Sequence, residues 1–382
     1  VSPNPNHHRR SASEENVSED RDSAVNPSKD NLSNAECQPA FDALRYRRQT
    51  QFAAFGKEGQ ARLAASKVLI VGVGALGSTI AERLVRAGVG AVRLVDRDWV
   101  ELDNLPRQTL YTEADVHHRT PKAIAAAAHL RAINSQCSLT ADVCDVTFET
   151  VSALCTDIDI VLDGTDNFET RFLINDVAHQ RNLPWVHGGV LGGAGQVMAI
   201  VPGQTACFRC LVPDLPPAGS FETCDSAGVM GPAVSIIGSW QAMLAIQRLS
   251  DPQNPPASQM TAIDIWNGQL RSISAPRETL AAHCPACNGQ YDFLSGQRHQ
   301  SATVLCGKDA VQLQPSQPGE QLDLNKIGER LSHIGQVESN PFLIRVNAPP
   351  HTLTLFRDGR TIISGTEDPA EARKLYTQWL GG

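Results

Sequence analysis

The run Lys67-Val-Leu-Ile-Val71, followed at once by Gly72-Val-Gly-Ala-Leu-Gly77, leaves few folds open. An apolar run of this length reads as a buried strand, and the glycines end it abruptly. Ile80, Leu84 and Val85 then recur at helical spacing until Gly88. A helix therefore opens inside the glycine segment. Glycines at Gly-x-Gly-x-x-Gly spacing between a strand and a helix suit a nucleotide. Gly72, Gly74 and Gly77 let backbone approach phosphate, and a helix N-terminus favours negative charge. Asp96 stands 19 residues after Gly77, at the end of the apolar run Ala91–Val95. A carboxylate there can accept from ribose hydroxyls. A tight strand–helix turn with no ligand is the plain alternative, and the spacing alone does not separate NAD from ATP.

The alternation continues. Helical patterning covers 121–133 and returns around Phe172 and Ile174, and apolar runs recur at 139–143, 158–162 and 184–187. The expected fold class is α/β, a doubly wound Rossmann-like and mostly parallel sheet. Residues 195–201 follow a tight glycine turn, so antiparallel strands should extend the sheet there. A long loop with Pro216 and Pro217 spans 213–227, then come a helix at 232–249 and a strand at 260–265.

Three regions are expected. Residues 1–40 are polar and too poor in aliphatic side chains to bury a core, which predicts a disordered tail. Residues 41–295 form the nucleotide-binding domain, entered by a helical pattern through Leu44, Phe52, Phe55 and Leu63. Residues 300–382 form a small α+β unit of unassigned role. It has a helix at 323–331, a strand at 342–346, a hairpin about Asp358-Gly359, and a final helix capped by Asp368 and begun by Pro369.

Charge and composition exclude some partners. A net charge of −8 disfavours nucleic acid, and no apolar run is long enough to span a bilayer. Val1–Arg10 has basic residues with no apolar stretch after them, so no secretory signal is expected there. With 10 cysteines in such a chain, reduced thiols and metal are expected, and a cytoplasmic protein with them. Cys207/Cys210 and Cys284/Cys287 are two Cys-x-x-Cys pairs, the ligand set of a closed tetrahedral zinc site with a structural role. Two unrelated reduced pairs, or a redox Cys-x-x-Cys, are the alternatives.

A second group of residues bears on the choice of nucleotide. Asp96-Arg-Asp98 leads to Asn104-Leu-Pro-Arg107-Gln108, then Pro121-Lys122, then Asp166-Asn167 and Arg171. Cations near a nucleotide serve an enzyme that breaks the triphosphate, because charge builds on the phosphoryl oxygens. An NAD-dependent oxidoreductase has less use for them. Taken with Arg45-Tyr-Arg-Arg-Gln49, Phe55-Gly56, Asp163-Gly-Thr-Asp-Asn-Phe168 and the two cysteine pairs, these motifs resemble the adenylyltransferases of thiamine and molybdopterin biosynthesis, bacterial relatives of ubiquitin-activating enzymes. The resemblance covers about 45–290. The chain departs from the family's usual pattern at Arg47 and at His117-His-Arg-Thr120.

The resemblance implies a reaction and roles. ATP and Mg2+ would be used to adenylate the C-terminal carboxylate of a ubiquitin-like sulfur-carrier protein ending in Gly-Gly. Asp96 would bind the ribose. Asn104, Arg107 and Lys122 would contact the phosphates, with Gln108 and Asn167 beside them, and Asp166 would position Mg2+. Arg48 would reach into the neighbouring subunit of a homodimer. Cys224, on the long loop, would either take part in sulfur transfer from a donor protein or stand idle.

Overall fold

A computed structural model describes residues 44–216, 227–298, 302–305, 309–314 and 322–381. The expected tail at 1–40, most of the loop at 213–227 and Cys224 lie outside them. From Tyr46 onward the chain forms one unit built on two sheets.

The first sheet has eight strands: β1 (Lys67–Val71), β2 (Ala91–Val95), β3 (Ser138–Asp142), β4 (Ile160–Asp163), β5 (Trp185–Leu191), β6 (Ala194–Ile200), β7 (Gln259–Asp264) and β8 (Gln269–Ser274). Their order is β3-β2-β1-β4-β5-β6-β7-β8. The first five are parallel, and β6, β7 and β8 add antiparallel pairings, as expected. Parallel strands covered on both faces bury successive side chains on opposite sides. In β1, Val68 and Ile70 enter one core while Leu69 and Val71 enter the other.

The longer helices are α1 (Gly56–Ala65), α2 (Ala75–Ala87), α3 (Lys122–Ile133), α4 (Phe168–Arg181) and α5 (Gly231–Ser250). Residues of α2, α3 and α5 fill the first core, and those of α4 the second. The helical pattern expected before β1 is broken. A four-residue helix, Arg47–Thr50, is separated from α1, and Phe52 between them is 65% exposed. Its apolar character marks no burial within this chain. No helix among the described residues is long and apolar enough to cross a membrane.

The second sheet comprises β9 (Ala302–Leu305), β10 (Ala310–Leu313), β11 (Gln336–Ser339), β12 (Leu343–Ala348), β13 (His351–Phe356) and β14 (Thr361–Ser364), ordered β11-β12-β13-β14-β10-β9. Two helices, α6 (Leu324–Leu331) and α7 (Pro369–Leu380), cover one face through a core containing Val311, Ile344, Leu353 and Ile363. Asp323 and Asp368 cap these helices through side-chain oxygens.

The other face turns toward the first sheet. The Trp99 and Phe356 ring centroids lie 5.6 Å apart. Arg360 is fully buried, stacks on Phe356 with its guanidinium carbon 3.6 Å from the ring centre, and donates to the Arg97 carbonyl. Gln312 and Gln314 donate to Asp145. Arg119 pairs with Glu338, and Asn340 donates to the Arg119 carbonyl.

Candidate functional site: a cleft at the carboxyl ends of the parallel strands

A cleft of about 1470 Å³ opens beyond the carboxyl ends of β1, β2 and β4. Open parallel sheets bind ligands there. Small-molecule pockets occupy about 300–1,000 Å³, so the cleft has room for a nucleotide and part of a second reactant. Gly72, Gly74, Asp96, Asn104, Arg107, Gln108, Lys122, Asp166 and Asn167 all line it.

The three loop glycines do different things. Gly72 has φ +80°, and a Cβ there would lie 2.8 Å from the Gly164 carbonyl oxygen. A Cβ on Gly77 would fall 1.9 Å from the Gly72 oxygen. Both are required by packing. A Cβ on Gly74 would meet only Gln108 Nε2, at 3.7 Å. A Cβ there has room among the described residues, and the loop leaves its backbone bare toward the cleft. No side chain caps the N-terminus of α2. Its first amides therefore remain for an anion.

Asp96 ends β2 and accepts from Val73 N at 2.6 Å and Asp98 N at 2.8 Å. Burial raises its pKa, with Asp98 adding to the effect, against Lys122 and the two amides. Lys122 is buried at the start of α3, its ammonium 3.8 Å from Asp98. Asn104 accepts from Glu101 N, and Arg107 donates to the Asp103 carbonyl, which steadies both beside the cleft. Gln108 Oε1 is buried without a hydrogen-bond partner among the described residues. Asp166 is exposed and makes no hydrogen bond or ion pair with the described residues. Asn167 caps α4 by accepting from Thr170 N at 2.9 Å.

Beneath Asp166 lies a buried group to which the sequence assigned no role of its own. Asp163, 0% exposed, accepts from Thr165 N and Oγ1, from Arg171 Nε at 3.1 Å and from His187 Nδ1 at 2.8 Å. Burial pushes its pKa up, but Arg171, His187 and Thr165 outweigh that and hold it at about 2. Burial keeps His187 below the ordinary imidazole value, so it is neutral near pH 7. Gln241 of α5 donates to the Asp163 carbonyl at 2.8 Å. Arg171 is not a loose phosphate cation. It is committed to Asp163 and to the carbonyls of Thr165 and Gly188. The cue lay in polar residues ending or interrupting apolar strands, Asp163 in β4 and His187 in β5.

Arg48 lies outside the cleft, exposed on the short helix before α1. The four paired cysteines do meet. Cys207–Cys284 are 3.4 Å apart, Cys210–Cys287 3.6 Å, and Cys210–Cys207 and Cys287–Cys207 3.7 Å. Four thiolates about 2.3 Å from one tetrahedral ion would be about 3.8 Å apart. This is the only cluster of possible metal ligands among the described residues.

Residues 46–286 match the ThiF family. The chain belongs to the ThiF family. It is 41% identical over 339 residues to the sulfur carrier protein ThiS adenylyltransferase of Bacillus subtilis, covering 88% of this chain and 99% of that protein. The Escherichia coli protein of the same description is 37% identical over 249 residues, which is 96% of that protein but 65% of this chain. The rest of this chain lies outside that alignment. Among solved structures, E. coli MccB with ATP shares the fold, with a TM-score of 0.52 and 22% identity over 61% of this chain and 71% of that one. Membership sets aside the hydride-transfer reading.

Two predictions follow from this geometry. Gly77→Ala should cost about 3 kcal/mol or more and lower Tm by roughly 4 °C or more, or prevent folding. Gly74→Ala should leave Tm within about 2 °C yet weaken ATP binding, so thermal melts with and without ATP should separate the two. Equal Tm losses would mean that packing requires Gly74 after all. The second concerns Asp163. Its folded pKa lies below that of the unfolded chain, so its contribution is complete above about pH 4 and fades as pH falls toward 2, an effect of about 2 kcal/mol. The Tm gap between wild type and Asp163→Asn should therefore narrow between about pH 4 and about pH 2. A gap independent of pH would show that ionisation of Asp163 contributes nothing.

Proposed function

We propose that this chain adenylates the C-terminal glycine carboxylate of a ubiquitin-like sulfur-carrier protein, using ATP. One observation carries the reading: in a chain of this family, the bare Gly74 backbone, Asp96, Lys122, Arg107 and Asp166 converge on one cleft. The reading rests on the two sulfur-carrier adenylyltransferases it resembles. Asp96 takes the ribose hydroxyls. The α2 amides and Lys122, Asn104 and Arg107 take the phosphates, and Gln108 and Asn167 border them. Asp166 suits Mg2+, since its carboxylate is exposed in the cleft and committed to no described partner; when bound, the ion neutralises phosphate charge. The carrier carboxylate attacks the α-phosphate, pyrophosphate leaves, and an acyl-adenylate remains. Aligning the reactants and neutralising charge suffice for this step.

The carrier fits the open end of the first sheet. Trp266 is 77% exposed and Leu270 and Ile273 are exposed on β8, the edge strand, while Gln269 and Arg271 line the cleft nearby. A homodimer is part of this reading. Arg48, exposed Phe52 and the outward Ile236 and Met243 of α5 are its contact residues, and Arg48 reaches the partner's cleft. Sulfide-level sulfur from a donor protein then attacks the acyl carbon and displaces AMP, leaving a thiocarboxylate, with Cys224 as the candidate thiol. We assign zinc to the four-cysteine cluster in a structural role, and read the boundaries of the adenylating domain and the C-terminal unit at 41–295 and 300–382.

Carrier-dependent exchange of pyrophosphate into ATP tests the reaction. Asp166→Ala should lose at least about a hundredfold in exchange with its fold intact, an effect typical of removing transition-state charge stabilisation. Cys224→Ala should exchange normally and slow only thiocarboxylate formation. Mixing Arg48→Ala with Asp166→Ala chains should restore part of the exchange, since one site of a mixed dimer carries neither defect. Wild-type protein without carrier-dependent exchange would remove the reading.

Cys207→Ser or Cys287→Ser should lose one metal ion per chain and melt at lower temperature, because metal binding is coupled to folding. Elemental analysis of protein purified without chelators under reducing conditions checks this. Protein free of zinc but equally stable would contradict the assignment.

A further inference from the structure

The second sheet presents a row of side chains to the cleft. Gln312, Ile362, Thr354 and Arg345 are paired in register across β10, β14, β13 and β12, and all four line the cleft. Gln312 is 2% exposed, and its Nε2 donates to Asp145 Oδ2 at 2.8 Å. Gln314 Nε2 donates to the same oxygen at 2.7 Å. Burial alone would raise the Asp145 pKa, but Arg97, Arg360 and the two amides outweigh it and lower it. An ionised carboxylate only accepts, so the Gln312 amide nitrogen must face Asp145 and its oxygen must face away. That oxygen, Oε1, is buried and has no hydrogen-bond partner among the described residues. Buried acceptors left without a donor are rare and call for an explanation.

Strand order says what part of a nucleotide lies beside it. Asp96, at the end of β2, marks the ribose. The phosphates run to one side, toward the glycine loop of β1. β3 lies on the other side of β2. The base therefore extends over the loops after β2 and β3, whose Arg97, Val146 and Phe148 line the cleft. Asp145 sits in the second of these loops and fixes Gln312 there.

We propose that Gln312 reads the base, its Oε1 accepting a hydrogen bond from the exocyclic amino group of a 6-aminopurine. This rests on the nucleotide reading of the cleft. A 6-oxopurine presents an acceptor at the same position, which would set two acceptors against each other. Val146 and Ile362 supply apolar contact for the ring. The parallel sheet then provides the ribose and phosphate sites, and the second sheet provides discrimination between bases.

Equilibrium binding to the full chain tests this with three nucleotides: ATP, inosine triphosphate with a 6-oxo group, and purine riboside triphosphate with hydrogen at that position. Wild type should bind ATP about five- to tenfold more tightly than purine riboside triphosphate, as one hydrogen bond is worth, and inosine triphosphate more weakly still. In Gln312→Leu the ratio of ATP to purine riboside affinity should fall to about one, since the pairwise coupling is gone. Gln314→Leu, which removes the other amide donor to Asp145 but leaves the Gln312 amide in place, should keep the ratio. A ratio preserved in folded Gln312→Leu overturns the proposal. So does equal wild-type affinity for ATP and inosine triphosphate, a result that needs no variant to fold. Wild type that binds none of the three overturns the nucleotide reading and this inference with it.

Discussion

Gly72, Gly77 and Gly164 meet backbone to backbone, and the site hangs on that contact. A Cβ on Gly164 would lie 2.2 Å from the Gly72 oxygen and 2.9 Å from Gly77 Cα. Only residues without side chains let the loop after β1 nest against the loop after β4. The nesting brings the start of α2 beside the segment that carries Asp166. Asp163, one residue before Gly164, then locks that segment from below through Thr165, Arg171 and His187. The carboxylate in the cleft and the bare helix terminus owe their proximity to three absent methyl groups and one buried charge.

Much of this was legible in the sequence. The glycine spacing follows from hard contacts, and contacts of that kind tolerate few substitutes. The cysteine pairs were legible because four thiolates are an identifiable donor set even when 77 residues separate them. Other parts left no local signal. β8 reads Gln-Leu-Arg-Ser-Ile-Ser and is exposed along its whole length, so no apolar face marks it. β11 is four residues, mostly exposed. Arg171 reads as a cation near phosphates until its partners are seen. The bonds from Gln312 and Gln314 to Asp145 cross 167 and 169 residues, and no spacing rule reaches that far.

The C-terminal sheet shows how alternation divides labour. Successive residues of a strand point to opposite faces. Val311 and Ile363 enter the core beneath α6 and α7, while Gln312 and Ile362 face the cleft. The first set holds the sheet together. The second can include a polar residue, because beside an apolar patch of Ala310, Leu343, Phe356 and Ile362 against Trp99 it meets Asp145 and a cavity. Arg360, buried against Phe356, ties this face to the β2–α3 connection.

The bond from Gln312 to Asp145 also orders events in time. The two residues are 167 positions apart in the chain. At about 5–20 residues per second, a ribosome releases the second roughly 8–33 s after the first. The glycine loop, Asp96 and Asp166 can all be folded by then. Until β10 emerges and settles, that end of the cleft stands open, so the nascent chain can assemble the glycine loop and its neighbouring carboxylates before the wall that Gln312 belongs to.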